Sequence, residues 1–228
     1  GDHLCDGLLP VLDRCSLGTI VWCFWKQDAV HARLFKEVAA ELSRPVRLRS
    51  LAPRNFQNVM MAYSRTRTRE AGLVEGMARG IRRLLVGHDP RSSKCNRSLL
   101  FSYTCRSGEE VSADSFRISG LAIVARAFHQ LTAAGPEIER CFEAMVDYVL
   151  RSLERSPPMM REAADAVHFV STLARCMRFP WSRRLLERFR GRLPEVCQDA
   201  SERDVSHLRE DLRTAGVDLF EGASAEER

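Results

Sequence analysis

Apolar residues recur every three or four positions in pairs of segments, and polar or turn-forming residues separate the pairs. Each first segment is an apolar stretch ending in an aromatic or Leu among polar or small neighbours. These read Ile20-Val21-Trp22-Cys23-Phe24-Trp25-Lys26, Val59-Met60-Met61-Ala62-Tyr63-Ser64-Arg65, Ile123-Val124-Ala125-Arg126-Ala127-Phe128-His129 and Phe169-Val170-Ser171-Thr172-Leu173-Ala174-Arg175. With Phe24, Tyr63, Phe128 and Leu173 taken as equivalent, the intervals are 39, 65 and 45 residues. A period near 40 residues with one insertion predicts stacked helical hairpins, hence an all-α superhelix of about four repeats.

The pattern predicts a short helix over 4–15, then hairpins pairing 17–27 with 29–43, 53–65 with 69–85, 114–131 with 136–154 and 160–177 with 181–193. Ser16 is a candidate N-cap for the first of these helices. Pro45 closes the first hairpin, and Pro53 suits a first helical turn, where its missing N–H has no partner. A final amphipathic helix at 202–215 carries Val205, Leu208 and Leu212. The domain reading is 1–85 for the N-terminal helix and two hairpins, 86–115 for an inserted loop, 116–198 for two more hairpins, and 199–228 for a cap and tail.

Composition narrows the class. The chain has 228 residues, 45% of them hydrophobic and only 7% aromatic, and no apolar run approaches the ~20 residues that span a bilayer. Membrane insertion is therefore not expected. The formal charge is +5, and only three of the 35 basic residues are Lys (Lys26, Lys36 and Lys94). Guanidinium forks suit phosphate contacts and base stacking, although gene composition gives the same bias. Eight cysteines among apolar neighbours fit reduced, buried thiols, with Cys23, Cys141 and Cys176 buried and the Cys5/Cys15 and Cys95/Cys105 pairs unbridged. The sequence has no phosphate-cradling Gly loop, no paired His metal motif and no nucleophile elbow, so the expectation is a chain without catalytic residues, metal or cofactor.

The stretch Ser16–Lys26 followed by Leu34-Phe35-Lys36-Glu37-Val38-Ala39, and the stretch Pro53–Arg65, resemble octotricopeptide-type repeats. These are organellar RNA-binding helical repeats of algae, apicomplexans and kinetoplastids, and they are related to the helical region of FAST-kinase-like proteins. The resemblance covers 16–85 well and 116–196 loosely. It implies a mitochondrial (or plastid or other organellar) protein associated with RNA. For a chain this short it implies a structural subunit of an organellar ribosome or similar ribonucleoprotein, held by rRNA and neighbouring proteins. The competing expectation is a protein-binding scaffold, such as an accessory subunit of a respiratory or ATP-synthase complex.

Repeats of this kind expose their first helices on one surface, where polar side chains meet bases and basic ones meet phosphates. Candidates there are Lys26, Asn55, Asn58, Arg65, Arg126 and Arg175. Arg183, Arg184, Arg188 and Arg192, with Arg190 among them, predict a basic helix face that follows a phosphate backbone. For all of these the competing role is ordinary: complementing a helix dipole or solvating an outer face.

Overall fold

A computed structural model describes residues 5, 7–49, 51–87, 103–104, 110–111, 116–154 and 160–220. Among these residues the fold is helical, apart from one two-residue antiparallel pair, β1 (Tyr103–Thr104) with β2 (Glu110–Val111). The helices are α1 (Arg14–Lys26), α2 (Ala32–Leu42), α3 (Pro45–Arg49), α4 (Pro53–Arg65), α5 (Ala71–Gly87) and α6 (Ile118–Gln130). They continue as α7 (Pro136–Leu153), α8 (Met160–Arg175), α9 (Pro180–Glu187), α10 (Leu193–Gln198) and α11 (Glu202–Thr214).

Two rows of helices make the core. In one, α1 packs on α4, α4 on α6, α6 on α8, and α8 on α11. In the other, α2 and α3 pack on α5, α5 on α7, and α7 on α9. The first four members of the first row also touch the helix that follows them: α1 with α2, α4 with α5, α6 with α7, and α8 with α9.

The turns explain this regularity. α1, α4, α6 and α8 end two residues past Phe24, Tyr63, Phe128 and Leu173 respectively. In the first three cases the residue four positions past the aromatic takes positive φ: Asp28 at 52°, Arg67 at 55° and Thr132 at 50°. The next amide then donates back to the aromatic's carbonyl: Ala29 to Phe24 at 2.9 Å, Thr68 to Tyr63 at 3.0 Å and Ala133 to Phe128 at 3.0 Å. This left-handed closure satisfies otherwise orphaned carbonyls and reverses the chain. The following helix starts eight residues after the aromatic in all three. The fourth turn is one residue shorter and closes differently, with the Phe179 amide on the Cys176 carbonyl at 2.9 Å.

Tyr63, Phe128 and Leu173 are buried, whereas Phe24, on the first helix of the row, is only partly covered. The Tyr63 hydroxyl donates to the Phe35 carbonyl at 2.6 Å, tying α4 to α2. Close approach depends on Gly80, where a Cβ would sit 2.6 Å from the buried Phe56 ring.

Several sequence expectations need correction. Gly7 to Val11 form turns rather than helix, with Gly7 at φ +127° and Pro10 inside the segment. Asp13 caps α1 in place of Ser16: its carboxylate accepts from the Ser16 amide at 3.0 Å and from the Ser16 hydroxyl at 2.6 Å. Pro45 ends one helix but also begins α3, which buries Leu48. The helix expected over 181–193 ends at Glu187; turns that include Gly191 follow, and a new helix starts at Leu193 with Pro194 in its first turn. Cys141 and Cys176 are buried free thiols and Cys5 is half-buried, but Cys23 is exposed. The remaining members of the expected pairs, Cys15, Cys95 and Cys105, have side chains outside the described residues.

Candidate nucleic-acid interface

The last turns of α4, α6 and α8 lie side by side, so the side chains that close these helices converge. Arg65 from α4, Arg126, His129 and Gln130 from α6, and Thr172 and Arg175 from α8 line a cleft of about 260 Å³. The clustering follows from the shared register of the helix ends, since Arg65, Gln130 and Arg175 are each the last residue of their helix.

The cleft is cationic because two of its guanidiniums keep their charge. Arg65 and Arg126 are exposed and have no ion-pair or hydrogen-bond partner among the described residues. Arg175 is shared with Asp211 of α11, with Nε 3.0 Å from Oδ1 and Nη2 3.0 Å from Oδ2. The same carboxylate accepts from the Ser171 hydroxyl. Arg178 lies at the edge, where its Nη2 donates to the His129 carbonyl at 2.6 Å and its guanidinium sits 4.8 Å from the Phe179 ring centroid.

His129 is the titratable group of this site. Its pKa is pushed below the usual 6.5, first by burial and then by the positive charges of Arg178 and Arg175. The ring is therefore neutral at neutral pH, and its buried Nδ1 has no hydrogen-bond partner. Helix C-termini are the negative ends of their dipoles and would ordinarily repel an anion. Here much of that end is occupied. Thr66 donates its amide and hydroxyl to the Ala62 carbonyl, both at 3.0 Å, and the turn amides fill the Tyr63 and Phe128 carbonyls.

The other candidates lie elsewhere. Lys26 ends α1, with its ammonium 4.7 Å from the Trp25 ring centroid and 5.6 Å from that of Trp22. The two indoles meet edge to face at 6.4 Å. Asn55 and Asn58 are half-buried in the first half of α4, on the order of 10 Å or more along the helix from Arg65.

The basic cluster after Trp181 is exposed but largely paired. Arg184 reaches Glu143 at 2.5 Å and Glu139 at 2.9 Å, and Arg188 reaches Asp147 at 2.6 Å. Arg190 pairs with Glu187 at 2.8 Å and Arg192 with Glu195 at 3.1 Å. Only Arg183 of this group has no partner among the described residues. Arg188 caps the end of α9 and Arg192 precedes α10, so they do not extend one helical row.

Three cleft residues, His129, Gln130 and Thr172, were not among the sequence candidates. The signal that finds them is their position at the helix ends, immediately around Phe128 and Leu173. Among the described residues, no group of three or more His, Cys, Asp or Glu side chains could hold a metal, and no helix is long and apolar enough to cross a membrane. Comparison with protein-family models, curated proteins and solved structures finds no match.

Proposed function

We propose that this chain is a non-enzymatic RNA-associated protein that holds an RNA backbone across the ends of α4, α6 and α8. The observation that carries the reading is the cleft in which Arg65 and Arg126 stand, among the described residues, without counter-charges beside Arg175. Unneutralised guanidiniums gain from displacing the counterions of a polyanion, and they need no base contacts to do so. The two helical rows and their matched turns favour a superhelix of about four hairpins, in which Lys26 continues the line of basic helix ends. In this reading the chain is a structural subunit of a ribonucleoprotein such as an organellar ribosome, and its broader surface meets neighbouring proteins.

Fluorescence anisotropy with a labelled 12-nucleotide single-stranded RNA, across a salt series, tests the proposal. The expected result is binding that weakens steeply and linearly in log salt. Absence of binding at low salt, or binding indifferent to salt, overturns it.

A scaffold role has its own specific support. Phe24 and Trp25 are only partly buried on α1, and Leu8, Val11, Val30 and Val46 are exposed. A partner held by these residues would be retained at high salt, which separates the two readings.

A further inference from the structure

We infer that the cleft formed by Arg65, Arg126, His129 and Arg175 seats a phosphate monoester, the terminal 5′-phosphate of an RNA or a free nucleoside monophosphate, in preference to an internal phosphodiester. This rests on the RNA reading above and sharpens it from a backbone to an end.

The charge of the cleft favours a monoester. A monoester carries about −1.5 to −2 at neutral pH, whereas an internal diester carries one negative charge. Arg65 and Arg126 bring two guanidiniums without carboxylate partners among the described residues, and the third, Arg175, is held by Asp211. The uncompensated charge matches a dianion. A single diester would leave half of it unmet.

The placement of the donors favours it as well. The cationic groups come from three different helices and line one cleft. A terminal phosphate offers three acceptor oxygens in different directions, while a diester offers two. Arg175 is positioned by Asp211 through two contacts at 3.0 Å, so one wall of the cleft is fixed before any ligand arrives.

The His129 imidazole adds to both. His129 lines the cleft with a buried, unpartnered Nδ1, and a buried polar atom without a partner is costly. It is faced by Arg65 from α4, Arg126 of its own helix, Thr172 and Arg175 from α8, and Arg178 from the turn beyond. Burial first, and then the charges of Arg178 and Arg175, keep the free ring neutral. A dianion in the cleft would reverse the local sign and favour the imidazolium.

The test compares one 12-nucleotide RNA with a 5′-monophosphate or a 5′-hydroxyl, and adenosine 5′-monophosphate alone, on the full chain. The phosphorylated RNA is expected to bind at least about tenfold tighter. R126Q should remove that preference, whereas R33Q, an exposed change on α2 outside the cleft, should keep it. The His129 ring signal, followed by NMR, should titrate at higher pH with the nucleotide bound than without it. Equal affinity for both RNAs, with steep salt dependence retained, overturns the monoester site and leaves the backbone reading standing. Failure of both RNAs together with R126Q-sensitive nucleotide binding supports the monoester site and removes the RNA reading. Failure of all three ligands overturns both.

Discussion

The two arginine-rich regions differ in what answers their charge. On α9 and the turn after it, four guanidiniums each lie within 3.1 Å of a carboxylate. At the ends of α4 and α6, Arg65 and Arg126 have no such partner among the described residues. The cause is on the neighbouring helix. Glu139, Glu143 and Asp147 repeat every four residues along α7, so they form an acidic row that Arg184 and Arg188 reach from α9. Exposed pairs of this kind contribute little to stability, yet they cancel the field within a Debye length of about 10 Å. A run of arginines in a sequence is therefore a poor guide to where an anion is attracted; the partners decide it.

If the α9 region is mainly structural, its strongest determinant is an aromatic anchor. Trp181 is buried, with its ring centroid 4.7 Å from Phe142 on α7 and 5.2 Å from Phe179, stacked with the latter at 3°. Trp181→Ala should cost about 3–5 kcal/mol in urea denaturation. A loss below about 1 kcal/mol would mean that α9 is not fastened where these contacts lie.

A smaller effect is expected from the charges themselves. Arg188→Gln, which leaves Asp147 exposed, should lower stability by about 0.2–1 kcal/mol at low salt. High salt should erase the difference. Persistence of the loss in 1 M salt would show packing rather than charge at this position.

The smallest effect belongs to the cleft. An unfolded His takes up a proton near its usual value of 6.5, while folded His129 does so only at lower pH. Between those points the unfolded state binds more protons, so stability falls as pH drops through and below 6.5. His129→Gln should remove that part of the acid sensitivity, seen as a shallower decline of Tm between pH 7 and pH 5. An unchanged decline would place the acid-sensitive group elsewhere.

The fold was legible in the sequence to the extent that burial is periodic. The boundaries expected for 53–65 coincide with α4, and those for 202–215 lie within a residue of α11, because proline or serine marks their starts and the apolar stripes have no gaps. The expected 4–15 helix failed where Pro10 breaks the pattern. α3 was hidden because a five-residue helix offers one buried residue, Leu48, and so no stripe to read.

The site was legible in fragments. Arg65, Arg126 and Arg175 stand out as basic ends of apolar stretches, but their meeting depends on α4, α6 and α8 lying side by side. The neutralisation of Arg184 by Glu139 and Glu143 joins residues more than 40 positions apart, and no local pattern announces it. Asn55 and Asn58 sit on the same helix as Arg65, yet helical rise carries them away from the cleft.

The central claim is that unpaired charge at the helix ends, and not the number of arginines, governs RNA association. The direct measurement is the salt dependence of binding to one single-stranded RNA for the wild type, R65Q/R126Q and R184Q/R188Q. Each phosphate contact contributes a slope of about 0.7 in log–log form. R65Q/R126Q should therefore flatten the slope by roughly 1.4 units and weaken binding at low salt. R184Q/R188Q should retain the wild-type slope. The opposite outcome, with the cleft variant unchanged and the α9 variant flattened, would contradict the account.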